Sequence, residues 1–405
     1  MQMKMKTDQS RLGRRGTLAL LVVLAAFPPV TMDLYLPALP QIADGFGTSS
    51  ANVNLTLGAY MVAYACAMLF WGPLSERTGR KPILLLGLAL YVLASLGCVF
   101  TSSIEGLIGF RALQGLGGGA VTVMETAIVK DLFDGRARER IMATVMSLVV
   151  IAPMVAPVLG AALLTFASWH SLFAVLAVFG CFATALALML NEPLEHRYGG
   201  SLIGSWFRLG HVLKNPRFVL LLLVFALGPM CLMAFIGSAA YVYVDGFGLS
   251  EQRFSMIFAF NAGCSVLGPI LYLRLTRHLS MQNVVLGAFT VMALGGGALL
   301  LFGGMSQWLF AAFAAVATVA VVSLRVPGTN LLLDQQEGDT GSAAALILFS
   351  TMLMGAVGVQ IAAADPGHMV RTLGLLFAFS GTTCVVIWLL IGRRAFVTRQ
   401  PTDAP

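Results

Sequence analysis

The sequence predicts an all-α membrane protein, twelve transmembrane helices in two pseudo-symmetric six-helix bundles, and three observations carry that prediction. Only 11% of the 405 residues are charged and 58% are hydrophobic, where an ordinary soluble domain has roughly a quarter of its residues charged. Apolar runs of about twenty residues recur along the whole chain, each long enough to cross about 30 Å of hydrocarbon as a helix that satisfies its own backbone. Lysine and arginine are concentrated on alternate connections: 21 of the 25 fall in the N-terminus, the even-to-odd connections and the C-terminus.

Taken in order, the spans are expected at 16–36, 52–74, 82–101, 105–130, 139–164, 169–190, 217–243, 252–274, 281–303, 306–333, 341–363 and 369–392. The first follows Lys4, Lys6, Arg11, Arg14 and Arg15. Its apolar run is too long for a signal peptide and no small-residue cleavage pattern follows, so it reads as a retained helix. By the positive-inside rule both termini are cytoplasmic. The net charge of +7 is then a mark of topology, not a surface for nucleic acid. Six cysteines (Cys66, Cys98, Cys181, Cys231, Cys264 and Cys384) sit inside apolar runs without close pairs, as small hydrophobes rather than a disulfide framework or a zinc site.

The longest polar connection, 191–216, separates an N-terminal bundle (1–190) from a C-terminal one (217–405). Within it Leu202, Trp206, Leu209 and Leu213 recur at helical spacing with Arg208 and His211 between them, which suits either a short interfacial helix or a plain loop. "WGPLSERTGRK" after span 2 has an echo in "LGPILYLRLTRH" after span 8, with Gly72-Pro73 matching Gly268-Pro269. Paired bundles of this kind mark a transporter.

The stretch "GPLSERTGRK", residues 72 to 81, packs Glu76, Arg77, Arg80 and Lys81 just past span 2. Orientation in the membrane needs only the cations; it explains neither the acid nor Gly72, Pro73 and Gly79. The glycines suit a tight turn and close helix approach. Glu76 can pair with an arginine or cap a neighbouring helix, and a pair made in one conformation and broken in another would act as a latch.

This motif resembles the signature of the major facilitator superfamily, G-x-L-[S/A]-[D/E]-R-x-G-R-[K/R], with Glu in place of the commoner Asp. "MDLYLPALPQIADGFGTS", "LTLGAY", "RALQGLGGG" and "APMVAPVLGA" are similar to the drug:proton antiporters of the bicyclomycin and chloramphenicol resistance (Bcr/CflA) type. The chain departs from that pattern at Met68, where Gln is usual, at Ala156-Pro157, where Gly-Pro is usual, and at Arg325. The resemblance implies a major facilitator fold and proton-coupled secondary active efflux of small, largely apolar drugs by alternating access. It further implies a monomer in the bacterial inner membrane, whose partners are the lipid bilayer, a small-molecule substrate and protons, with no cofactor and no nucleic acid. Proton-coupled transport of a natural metabolite such as an amino acid, sugar or siderophore is the alternative. No Walker sequence, metal-ligand cluster or nucleophile elbow supports an enzyme.

Ionisable residues within spans are costly and therefore functional candidates: Asp33, Arg111, Glu125 and Arg325. Asp33 and Arg111 are expected at similar depth and could pair, either as a fixed ion pair or as a proton site in which movement of Arg111 changes the proton affinity of Asp33. The resemblance ties the span 4 arginine and the span 1 acid to proton coupling. Glu125 lies about 21 Å along the helix from Arg111, near the same face, and forms with Arg325 a candidate inner gate pair; alternatively each reaches water or pairs within its own half. Tyr60, Tyr64, Gln114, Phe235, Tyr241, Asn261 and Asn330 are candidate ligand contacts, with ordinary interior packing as the competing reading. Pro153, Pro157 and Gly160 are expected to bend span 5. Gly115 to Ala120, "GLGGGA", lies in mid-span with no preceding strand and no Lys-Ser/Thr after it, so it reads as a helix-packing surface, not a phosphate cradle.

Overall fold

The computed structural model of the chain describes residues 9–194, 202–336 and 340–398. Lys4, Lys6, Arg197 and Arg399 of the basic stretches lie outside the described residues. Eleven helices are long and apolar enough to cross a membrane: α1 (Gly13–Phe46), α2 (Ser50–Thr78), α3 (Arg80–Phe100), α4 (Ile104–Leu132), α6 (His170–Met189), α8 (Pro216–Gly246), α9 (Glu251–Leu275), α10 (Met281–Phe302), α11 (Gln307–Leu333), α12 (Gly341–Ala363) and α13 (Pro366–Ile391). A twelfth, α5 (Gly135–Leu164), has 30 residues. Two shorter helices complete the set, α7 (Leu202–Leu213) in the connecting segment and α14 (Ala395–Thr398) near the C-terminus.

The chain divides into two compact units, Met1–Gly204 and Ser205–Pro405, each with six spans. Helix α7 occupies the position where the sequence allowed a helix or a loop. The side chains of Leu202, Trp206 and Arg208 lie outside the described residues, while Val212 is buried in the core of the second unit.

Helix α1 runs ten residues past the expected end at 36. Prolines explain both its length and its breaks. Pro28-Pro29, Pro37 and Pro40 each occupy the first positions of a new short helical segment, where a missing N–H costs no hydrogen bond. The chain therefore changes segment without leaving helix, and stops only at Gly47, whose φ of 58° closes the last turn. Serine caps start α2, α4, α9, α10 and α11: Ser49, Ser103, Ser250, Ser280 and Ser306 each accept a hydrogen bond from a first-turn N–H.

Glycine sets how closely the spans of the first unit pack. A Cβ on Gly115 would lie 2.3 Å from the Tyr60 carbonyl oxygen, and one on Gly117 2.6 Å from that of Gly87. The glycine run of α4 is thus the surface on which α2 and α3 seat. Gly160 is a stronger case, since its Cβ would lie 1.9 Å from the Leu34 carbonyl oxygen. The sequence assigned Gly160 to bending; the structure assigns it to backbone contact between α5 and α1. Pro153 and Pro157 do sit inside α5.

Candidate functional site

At the end of α2 the charged motif is held by acids from elsewhere in the chain. Gly79 takes φ 110° and ψ 158°, a conformation that side chains disfavour, and a Cβ there would lie 2.6 Å from Glu192 Oε2. That carboxylate accepts hydrogen bonds from the backbone N–H of Arg80 (2.8 Å) and of Lys81 (3.1 Å), so it caps α3 at its positive end. The Arg80 guanidinium, almost fully buried, donates from Nε to Asp131 Oδ2 at 2.8 Å and from Nη1 to Ser75 Oγ at 2.6 Å. Lys81 Nζ donates to the Leu188 carbonyl. Among the described residues, Glu76 and the exposed Arg77 make no ion pair. The sequence allowed Glu76 either to pair with an arginine or to cap a neighbouring helix; in the structure Asp131, in the last turn of α4, pairs with Arg80, and Glu192, three residues past the end of α6, caps α3.

Deeper in the same unit, Arg111 is fully buried without a carboxylate. Its Cζ lies 4.4 Å from the ring centroid of Tyr35, 4.6 Å from that of Tyr60 and 5.8 Å from that of Phe173, so π faces carry much of its charge. Nη1 donates to Gln114 Oε1 and to the Thr31 carbonyl. Gln114 Nε2 donates in turn to Ser95 Oγ, which donates to the Tyr91 carbonyl. The Tyr91 and Thr31 hydroxyls share a 2.7 Å hydrogen bond. Nε and Nη2 of Arg111 have no partner. The guanidinium therefore keeps two N–H faces in reserve.

Asp33 is buried but forms no ion pair with Arg111, contrary to the pairing the sequence allowed. The reason is angular. Two residues of helix separate Asp33 from Thr31 by about 200°, and Thr31 is the position that faces Tyr91 and Arg111. Glu125 is also buried, with Thr126 Oγ1 donating to its Oε2 and nothing satisfying Oε1. Tyr64 stacks on Tyr60 with centroids 5.8 Å apart and donates its hydroxyl proton to Thr122 Oγ1.

The second unit is built differently. Phe235 stacks on Phe258 with an interplanar angle of 9° and touches Phe310, which meets Tyr243 edge to face. Asn261, one turn beyond Phe258, shares a 3.1 Å hydrogen bond with Thr318 of α11 and has an unpartnered Nδ2. Tyr241 is buried, whereas Asn330 and Arg325 are exposed.

A model of the Major Facilitator Superfamily matches residues 13–359. The chain belongs to that superfamily. It is 32% identical over 347 residues to the uncharacterized MFS-type transporter YdgK of Bacillus subtilis (strain 168), covering 84% of this chain and 86% of that one. It is 28% identical over 280 residues to a bicyclomycin resistance protein homolog of Haemophilus influenzae, covering 68% and 70%. The fold is similar to the crystal structure of a D-xylose-proton symporter, with a TM-score of 0.71 over 93% of this chain and 96% of that one, at 14% identity. This facilitator is accordingly a multi-pass membrane transporter and not an enzyme.

Several residues of the facilitator's site escaped the sequence reading. Asp131 and Glu192 carry a signal that could have found them: they are acids at span ends on a side otherwise rich in cations. Gln9 exchanges two hydrogen bonds with the Asn191 backbone, and no local pattern marks it. Tyr35, Phe173, Thr31 and Ser95 surround Arg111 only because four spans converge there.

Proposed function

We propose that this facilitator is a proton-coupled exporter of small, largely apolar drugs, of the bicyclomycin and chloramphenicol resistance type, oriented with both termini in the cytoplasm. The observation that carries the reading is the buried pair of opposite charges on Asp33 and Arg111, held apart, with Arg111 lodged among aromatic rings. A permanent ion pair would be inert. A carboxylate and a guanidinium that are not yet paired can respond to a proton, to each other or to a ligand.

Asp33 takes up a proton from outside and releases it inside as access alternates. Arg111 fixes the local field and offers its two free N–H groups. Aromatic rings suit apolar ligands; Tyr60 in the first unit and Phe235 and Phe258 in the second are buried against their own neighbours, so a ligand would reach them only as access alternates. The sequence resemblance and the relative named for bicyclomycin resistance support this substrate class, and the Lys and Arg bias supports the orientation.

The test is a panel of toxic compounds applied to cells overproducing the chain, with and without a protonophore. The expected result is raised tolerance to a subset of apolar compounds that the protonophore abolishes. Unchanged tolerance across the panel, or tolerance that survives the collapsed gradient, would reject the reading.

A further inference from the structure

One surface of the second unit is not accounted for by transport. Helix α7, the start of α8, the end of α11 and α14 all meet at one end of this unit, the end where α10 begins and α13 finishes. Val212 of α7 and Val397 of α14 share a buried cluster with Phe218 and Trp388, and Leu209 and Phe396 pack against it. Polar ties fix the arrangement: Asn215 Nδ2 donates to the Gln335 carbonyl (2.8 Å), and Gln335 Nε2 donates to the Phe396 carbonyl (3.1 Å). The linker helix and the C-terminal turn are therefore parts of one platform.

The outer face of that platform is both apolar and cationic. Phe207 is 75% exposed and Leu213 is 47% exposed; Lys214 and Arg217, exposed, follow Leu213 along the chain, and Arg393, exposed, precedes α14, whose Phe396 and Val397 join the same cluster as Leu209 and Val212 of α7. Arg217 lies over the Phe396 ring at 5.6 Å, which holds its guanidinium at this face. Residues 202 to 218 contain Arg208, His211, Lys214 and Arg217 and no acid; Asp334, exposed at the end of α11, is the nearest described acid in sequence to Gln335. Large apolar side chains on the same platform as three cations that make no ion pair among the described residues, at the level where spans enter and leave the bilayer, match one partner chemically: lipid with an anionic headgroup. An uncharged headgroup would satisfy the apolar residues and leave the cations unmatched.

We propose that α7, the start of α8 and the segment before α14 form a docking surface for anionic phospholipid of the adjacent leaflet. Phe207 and Leu213 enter the acyl boundary, and Lys214, Arg217 and Arg393 hold the phosphates.

The test uses the purified full chain in detergent, offered equal amounts of phosphatidylglycerol and phosphatidylcholine of matched acyl chains, with retained lipid counted by native mass spectrometry. The wild type is expected to retain the anionic lipid preferentially. Lys214→Gln, Arg217→Gln and Arg393→Gln combined should lose that preference by roughly fivefold for each cation removed. A charge-keeping control, Arg217→Lys with Arg393→Lys, should retain it, as should Arg11→Gln, Arg14→Gln and Arg15→Gln combined, which removes equal charge from the first unit. Equal retention of the two lipids by the wild type overturns the proposal. So does an unchanged preference in the first variant, or its loss in either control. Because retention is read on isolated protein, a failure of the drug-export reading leaves this test unaffected.

Discussion

The two six-span units share a plan and differ in what they bury. The first encloses Asp33, Arg80, Arg111 and Glu125; the second, among its described residues, buries no charged side chain, only hydroxyls and the Asn261 amide. Burying charge is costly unless rings, hydrogen bonds or an opposite charge compensate it; the first unit pairs Arg80 with Asp131 and sets Arg111 against aromatic rings and Gln114, while two of the Arg111 N–H groups stay unpartnered. The second invests in stacked aromatics. Under the function proposed above, energy coupling would fall to the first unit and ligand shape to the second.

The largest expected effect breaks the charged side of the comparison. Arg111→Ala should reduce drug tolerance to that of cells lacking the chain, and Arg111→Lys should fail to restore it, because an ammonium lacks the planar face that stacks between Tyr35 and Tyr60. Growth assays with the protein level checked in membranes measure both. Next comes Asp131→Ala, which strands the buried Arg80 guanidinium and should cost about 3–5 kcal/mol, read as a fall in the unfolding temperature of purified protein. Gly160→Ala drives a methyl into the Leu34 carbonyl and should cost about 1–3 kcal/mol in the same assay. The smallest effect sharpens the contrast from the second unit. Asn261→Leu replaces an amide that is only half satisfied, so stability should stay within about 1 kcal/mol, while the range of exported compounds shifts and dependence on the proton gradient persists.

How much of this was legible beforehand differs between backbone and contacts. The membrane-length helices follow from hydropathy, which acts locally, and the glycine run was read as a packing surface because nothing around it suited a phosphate. Span 1 was expected to end at 36, but Pro37 and Pro40 each sit at the second position of a short helical segment, where the missing N–H permits continuation. The motif at 72–81 was visible, but its partners were not: Asp131 and Glu192 lie about 50 and 110 residues away in sequence, and only the fold brings them to Arg80. Asp33 and Arg111 were found as costly charges. That they stand unpaired depends on the rotation of one helix about its own axis, which composition and spacing do not report.

The most direct test of the central claim is proton-driven drug flux in proteoliposomes carrying either wild-type protein or Asp33→Asn, with substrate exchange measured in parallel without a gradient. The account predicts that the variant loses accumulation driven by an imposed pH difference and retains exchange. Equal pH-driven accumulation by the two proteins would contradict it.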